Sequence, residues 1–538
     1  MRRGSCFLFL LGKGGDMETS CLPCKNKAKF SLALYSGWIV LFFFIIFFFC
    51  IYYFTNSPLN SNSTSSITNM ATITQQALTY PQTIIPFTCN NMTNLTCSSS
   101  KIPIPPHTLP PSSSCPDYFR WIHEDLGPWA LTGITQEAVM RARDRATFRL
   151  IILNGRVYFE KLKYIYQTRD VFTVWGILQL IRRYPGRVPD LDIMFNCEDP
   201  PMIKKADYIA VGSPIPPPLF RYCKDGTTLD IVFPDWSFWG WAEINIKSWE
   251  RALKEIKEGN ERTKWVDREP YAFWKGNPTV AGTRVDLLRC NVSKDHEWNA
   301  RVYVNDWFKE IRTNFKESNL EDQCTHRYKI YIEGGAWSVS EKFILACDSP
   351  TLFVNTRFDD FLSRALIPGT HYWPIRDNDK CRSIKFAVDW GNSHQKEVYN
   401  VVNIVIPLLL IKYIKVTDIY EQAQEIGKRA SKFMQEEMSM DNIYDYMLHL
   451  LIEYSKLLKY KPVVPEGAVE YCSESMACPS KGRHKTNMMD SLVNTTHYKG
   501  PCSLPPPYDP GELQQYKRMI ASSRKQIEDL EEEAWKKH

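Results

Sequence analysis

Between positions 31 and 100 the sequence contains no Asp, Glu, Lys or Arg. A stretch without charge cannot supply the solvent face of an ordinary folded domain, so this part of the chain reads as apolar or as unpacked. No G-x-G-x-x-G and no P-loop lysine motif occurs anywhere, which excludes two phosphate-binding signatures that can be read from sequence alone. The C-x-x-C formed by Cys21 and Cys24 stands alone, which favours lipidation of the thiols or no role over a zinc site. The net charge of +6 owes much to the N-terminal tail and gives little support to a nucleic-acid partner. The chain ends in EEEAWKKH and lacks a KDEL-type retrieval signal.

What the uncharged span does contain is an almost unbroken apolar run at 37–54, WIVLFFFIIFFFCIYYF after Gly37. With Leu32 to Tyr35 added it reaches the roughly 20 residues needed to cross a bilayer, and Trp38, Tyr52 and Tyr53 sit near its ends as interfacial aromatics. A cleaved signal peptide would have a shorter apolar region and a small-residue cleavage site. The basic residues Arg2, Arg3, Lys13, Lys25, Lys27 and Lys29 precede the run, so residues 1–36 are expected to be a cytosolic tail, 37–54 a signal anchor, and the remainder luminal, a type II arrangement. Residues 55–114 are rich in Ser, Thr, Asn and Pro and read as a disordered stem. Sequons at Asn62, Asn91, Asn94, Asn291 and Asn494 all fall on the luminal side. So do twelve of the 16 cysteines, an even number compatible with disulfides in an oxidising compartment.

The folded body begins at Cys115. Its pattern predicts a helix over 135–148, a strand over 149–159, a helix over 171–184 and a short buried strand at Ile193, Met194 and Phe195. The chain then breaks in FNCEDPP, where Asp199 stands at the carboxyl end of a strand and is held by two prolines. That is a place for a general base in an open α/β sheet, although a turn aspartate bonding its own backbone fits the same residues. Asp190 and Asp192 form a D-x-D that could hold a metal, but Asp192 begins the strand and a structural pair is expected. FPDWSFWGWAEINIKSW, 233–249, reads equally as a carbohydrate-facing loop carrying Trp239, Trp241, Glu243 and Asn245 or as core. Lys275 and Arg284 flank a loop and offer charge to a diphosphate, or else make surface ion pairs. In YIEGGAWSVSEKF the pair Gly334 and Gly335 permits a tight turn, and Ser338 with Glu341 forms an S-x-x-E capping box, so that a helix start near 337–340 would receive phosphate. An ordinary βαβ connection explains this segment as well. Met440 to Leu458 is strongly helical; beyond Pro462 the body is expected to end, with 463–538 a Pro/Ser/Cys-rich tail and an exposed charged helix.

The ordered series FNCEDPP, FPDWSFWGW, AFWKGN, YKIYIEGGAWSVSEKFILACDSP, HYWPI and AQEIGKRASKFMQEEMSMDNIYDYMLHLLIEY resembles glycosyltransferase family 90, the rumi and CAP10-like group, and its plant members in particular. The resemblance covers 115–462. It implies an α/β fold with a GT-B-like pair of Rossmann lobes, a UDP-glucose or UDP-xylose donor, and metal-independent, inverting transfer to a glycan or glycoprotein acceptor, with no cofactor. It implies that Asp199 is the base, that Asn277, Arg284 and the run Gly335, Ala336, Trp337, Ser338, Val339 and Ser340 contact the donor, and that Cys324 pairs with Cys347. The protein O-glucosyltransferases of the group carry arginine where Ser340 and Glu198 stand, which leaves open a serine acceptor in a folded protein domain. A non-catalytic luminal carbohydrate-binding module is a third reading. Residues 397–422 interrupt a pattern that resumes in register, as translated intron sequence would. The anchor without a retrieval signal points to the Golgi membrane, with the endoplasmic reticulum as the alternative.

Overall fold

The computed structural model describes residues 83–89, 97, 113–393, 423–496 and 500–537. The expected tail, span, most of the stem, three sequons (Asn62, Asn91, Asn94) and the insert 397–422 lie outside the described residues. Among the described residues no helix is long and apolar enough to cross a membrane.

The chain opens its first sheet with β1 (Phe148–Leu153) and β2 (Arg156–Lys161), an antiparallel hairpin. Asn154 and Gly155 form its turn at φ 51° and 74°, the left-handed pair that a two-residue hairpin requires and that Asn-Gly supplies at least cost. The expected single strand over 149–159 is therefore two strands. The expected helix over 135–148 is also shorter, Gln136–Arg141, capped by Thr135, whose hydroxyl accepts the Ala138 N–H at 3.2 Å. It stops early because the first sheet claims the residues just beyond it: the Thr147 N–H donates to the Phe195 carbonyl at 2.7 Å. The helix Arg169–Arg183 leads to β3 (Leu191–Phe195), buried at every position as its LDIMF sequence requires. β4 (Phe220–Arg221), β5 (Cys223–Lys224) and β6 (Ile231–Val232) come next along the chain.

The second sheet comprises β7 (Glu269–Gly276), β8 (Ala300–Val304), β9 (His326–Tyr331), β10 (Thr351–Val354) and β12 (Trp373–Ile375) in the order β12-β10-β9-β7-β8. All its pairs are parallel, the arrangement expected of a Rossmann-type sheet. β11 (Asp359–Asp360) pairs instead with β5. Finally β13 (Val469–Tyr471) joins the edge of the first sheet, whose order is β13-β2-β1-β3-β4-β6. That sheet is mixed, with β1 antiparallel to both neighbours and β3, β4 and β6 parallel to one another. One buried cluster centres on the first sheet and takes in Tyr331 and Phe353 from the second; the other gathers the alternate residues of the second sheet, Ile330, Leu352 and Val354 among them. The long helix Met440–Leu457 packs into the first, where the Tyr454 and Tyr460 hydroxyls donate to Asp192 at 3.0 and 2.9 Å.

Asp192 is wholly buried and bound by both oxygens to Arg149 at 2.8 and 2.6 Å, while Asp190 accepts the Asn154 N–H and closes the hairpin. The D-x-D pair is thus committed to structure. The body does not end at Pro462. β13 joins the first sheet, the helix Ser473–Ala477 packs on the helix Arg169–Arg183 and the helix Gly482–Asp490 on Ser473–Ala477, and Cys472, Cys478 and Cys502 are disulfide-bonded to Cys97, Cys89 and Cys115. The near end of the expected stem is docked by the same clasp. Ile85 is 3% exposed, its N–H donates to the Asn494 carbonyl at 2.8 Å, and the Thr496 N–H donates to Thr83 at 3.0 Å. The last helix, Pro510–Lys536, is capped by Asp509 and buries Ile527 and Glu531 rather than standing in solvent. The helices Lys380–Ser393 and Ala423–Glu436 meet where the insert leaves and returns: a Cβ on Gly391 would lie 2.9 Å from that of Ala423.

Candidate active site

Asp199 emerges from the carboxyl end of β3 on a loop fixed by Arg221 of β4. This guanidinium, fully buried, donates to the Asn196 side chain and to the Glu198 carbonyl, each at 2.6 Å. Asp199 Oδ1 accepts from Arg169 Nη1 at 2.6 Å, and its side chain is 41% exposed. Arg169 opens the helix Arg169–Arg183; it also donates to the Cys197 carbonyl at 2.8 Å and lies over the Trp236 ring at 4.6 Å. One carboxylate oxygen is thereby held by a buried cation, and the other faces Gly335: a Cβ added there would stand 3.3 Å from Asp199 Oδ2. Glycine at 335 is what lets the two loops come this close.

The glycine turn lies after β9 at the carboxyl edge of the parallel sheet, where open α/β folds place ligands. Arg284 threads it from below. Its guanidinium donates to the carbonyls of Glu333 (2.8 Å), Ile332 (3.1 Å) and Asn277 (3.3 Å) and to Ser338 Oγ (3.0 Å), and the residue is 8% exposed. No carboxylate pairs with it among the described residues, and burial holds its pKa below the ordinary arginine value. Lys275, the other expected cation, is consumed by Glu310 at 3.3 Å and the Glu317 carbonyl. Asn277 spends its side-chain oxygen on the Thr279 N–H and hydroxyl, at 3.0 and 2.8 Å.

The expected capping box does not form. The helix is Glu341–Leu345 with Ser340 at its N-cap and no side-chain cap; Ser338 Oγ is taken by Arg284 and by Ser340 Oγ at 2.9 Å. Five residues make a weak dipole, so any anion here relies on the guanidinium and on loop N–H groups. Ala336 and Trp337 are buried, Val339 is partly so, Gly335 is exposed, and the Trp337 Nε1 has no hydrogen-bond partner among the described residues.

Of the aromatic segment, Trp239 has no exposed surface. It fills the space against Gly176, where a Cβ would come within 2.5 Å of its ring, and donates to the Tyr444 hydroxyl at 2.9 Å. It is core and does not face a sugar. Asn245 holds a turn at φ 60° and bonds Asn319, whereas Trp241 and Glu243 come to the Arg169 side of the site. Cys324 pairs with Cys347, and Cys290 with Cys381. Cys197 and Cys223 are free and buried, and the Cys223 thiol donates to the Asp199 carbonyl at 3.3 Å. Asn291 accepts the Val302 N–H at 3.0 Å, and Asn494 is exposed. Arg169 and Arg221 belong to no local motif that would single them out, and Trp236, though inside FPDWSFWGW, is not marked there as a partner of Arg169; their roles come from partners distant in sequence.

Glu333, just before the glycines, carries a carboxyl that burial pushes up to about 7 although the N–H groups of Phe358 and Arg357 favour its charge. A carboxyl raised in the folded state contributes stability below its unfolded value, near 4.5, and loses it as the pH rises through 7. Glu333→Gln should therefore be more stable than wild type at pH 8 by on the order of 2 kcal/mol and show no advantage at pH 4.5. Urea titrations at the two pH values measure this, and equal differences at both would refute it.

The family model described as Glycosyl transferase family 90 matches residues 110–404 and 409–531. The chain is 25% identical over 362 residues to human protein O-glucosyltransferase 1, covering 65% of this chain and 82% of that protein. It is 24% identical over 378 residues to the O-glucosyltransferase rumi of Drosophila melanogaster, with 67% and 82% covered. The O-glucosyltransferase rumi homolog of Aedes aegypti is 24% identical over 363 residues, with 65% and 80% covered.

Proposed function

Because the chain belongs to glycosyltransferase family 90, we propose that it transfers glucose or xylose from a UDP-sugar to a glycan hydroxyl, with inversion and without a metal, between two lobes of a GT-B-like body. The observation that carries this reading is Arg284, a buried guanidinium without a carboxylate partner among the described residues, set behind the glycine turn that touches Asp199. A buried cation is costly unless an anion compensates it, and a diphosphate is an anion that matches a guanidinium fork.

The acceptor hydroxyl binds beside Asp199, whose carboxylate takes its proton as the oxygen attacks the anomeric carbon. The bond from that carbon to the diphosphate oxygen breaks on the opposite face, and its electron pair leaves with UDP. Arg284 and the loop N–H groups of Gly335, Ala336, Val339 and Ser340 receive the developing charge, the task a divalent cation performs in other transferases; the Ser338 N–H is already given to the Tyr331 hydroxyl at 3.1 Å. Arg169, donating to Asp199 Oδ1, fixes the base's orientation. Five disulfides support an oxidising compartment, and with the apolar run 37–54 they favour a type II protein of the Golgi membrane, its site luminal. A protein serine is the second acceptor to consider, since the relatives are protein O-glucosyltransferases.

The test is UDP release by the compact unit Pro81–His538, with and without 397–422, across a panel of UDP-sugars and with glycan or folded-protein acceptors. Donor-selective release is expected. Arg284→Gln should weaken UDP binding by roughly ten- to a hundredfold, the worth of charge-assisted hydrogen bonds. Donor binding without turnover under every condition would replace this reading with a carbohydrate-binding module.

A further inference from the structure

The two residues that lead into the helix Arg169–Arg183 break local rules, and with its first residue they serve one place. Gln167 has φ 55°, a left-handed conformation that a non-glycine residue keeps only when its surroundings hold it there. Thr168 occupies the N-cap but makes no cap hydrogen bond; its hydroxyl donates to Glu243 Oε2 at 2.8 Å instead. Gln167 Oε1 accepts from Trp241 Nε1 at 2.6 Å. The third, Arg169, holds Asp199. Local backbone preference has been given up so that one short segment positions an indole, a carboxylate and the base.

The indole and a phenol flank that same guanidinium: the Trp241 ring lies 5.7 Å and the Tyr166 ring 5.6 Å from Arg169 Cζ. Tyr166 is 58% exposed, though a buried cation at its side would reward closer packing, so its outer face is open. The other oxygen of Glu243 faces His484 Nε2 at 3.5 Å, an imidazole 38% exposed that arrives from the helix Gly482–Asp490. Aromatic faces alternating with a carboxylate, an amide and an imidazole are what a sugar ring needs, since its C–H face stacks on π systems while its equatorial hydroxyls want directed polar partners.

The geometry points to an acceptor subsite for a saccharide, formed by Tyr166 and Trp241 as stacking faces with Glu243 and His484 as hydroxyl partners, leading directly to Asp199. It deepens the transferase reading and rests on it for the direction of approach. His484 and Tyr166 act by holding the acceptor and touch no bond that breaks.

The experiment titrates the full chain with soluble neutral hexasaccharides of β-linked xylose, glucose, galactose and mannose, by calorimetry and saturation-transfer NMR, and separately with UDP. At least one hexasaccharide should bind. Tyr166→Ala should weaken it at least tenfold, Tyr166→Phe should restore most of the affinity because the ring face remains, and His484→Ala should weaken it severalfold. If no hexasaccharide binds, if Tyr166→Ala changes nothing, or if a folded disulfide-rich domain presenting serine binds through Tyr166 instead, the saccharide subsite is overturned. UDP bound without any hexasaccharide sinks the subsite and spares the donor site; hexasaccharide bound without UDP does the reverse.

Discussion

Asp199→Asn is expected to lower sugar transfer by about 10²- to 10⁴-fold, the usual share of a positioned general base, while UDP binding and thermal stability stay near wild type. The amide is isosteric, and its oxygen can still accept from Arg169, which holds the residue at 2.6 Å. What is lost is the basic oxygen that faces Gly335. Initial rates of product formation with saturating donor, alongside a melting curve, measure the effect. A variant that transfers at the wild-type rate would show that Asp199 is only a turn residue bonded to a helix start. A variant that also loses UDP would show that the carboxylate supports the donor loop rather than the acceptor.

The second large effect concerns where the folded unit starts. Composition places the boundary at Cys115, yet a fragment over 115–538 is expected to fold poorly by comparison with Pro81–His538. It lacks Cys89 and Cys97, so Cys478 and Cys472 are left without the partners they have across 389 and 375 residues. It also strips Ile85 from its site and removes two carbonyls, of Ile85 and Pro86, that face the Arg182 guanidinium at 3.3 and 3.4 Å. Each native disulfide is worth about 2–5 kcal/mol, so the pair approaches the whole stability of a typical domain. Denaturant midpoints and counts of reactive thiols in the two secreted fragments test this. Equal midpoints would mean that the clasp is ornamental to the fold.

These two cases mark what can be read in the sequence and what cannot. The strand before FNCEDPP, the glycine turn after β9 and the helix Met440–Leu457 are legible because each is a local pattern of burial and turn chemistry. The Asn154–Gly155 turn is equally local, but the apolar run around it reads as one continuous strand. The S-x-x-E at Ser338 misleads because Arg284 outcompetes the helix for that hydroxyl. The near end of the stem, 83–89, and the tail look unpacked because their stability comes from pairings across most of the chain, which composition does not encode. Arg169 and Arg221 cannot be singled out for the same reason: a guanidinium's role is set by carbonyls and carboxylates that only the fold brings to it. Trp239 and Trp241 are near neighbours in one aromatic segment, and only packing against Gly176 decides that the first is core.

Two thiols remain in a protein otherwise fully oxidised among its described residues, and both lie beside Asp199. Burial pushes Cys197 up to about 12 and Cys223 well above the ordinary thiol range, so neither presents a thiolate and neither exchanges with its surroundings while the site is closed. They form a clock for the loop that carries Asp199. The rate at which an alkylating reagent reaches Cys197, compared with that at Cys223 in β5, separates opening of that loop from wider unfolding, and slowing of the Cys197 rate by UDP or by an acceptor would report how far each ligand tightens the site before any sugar moves.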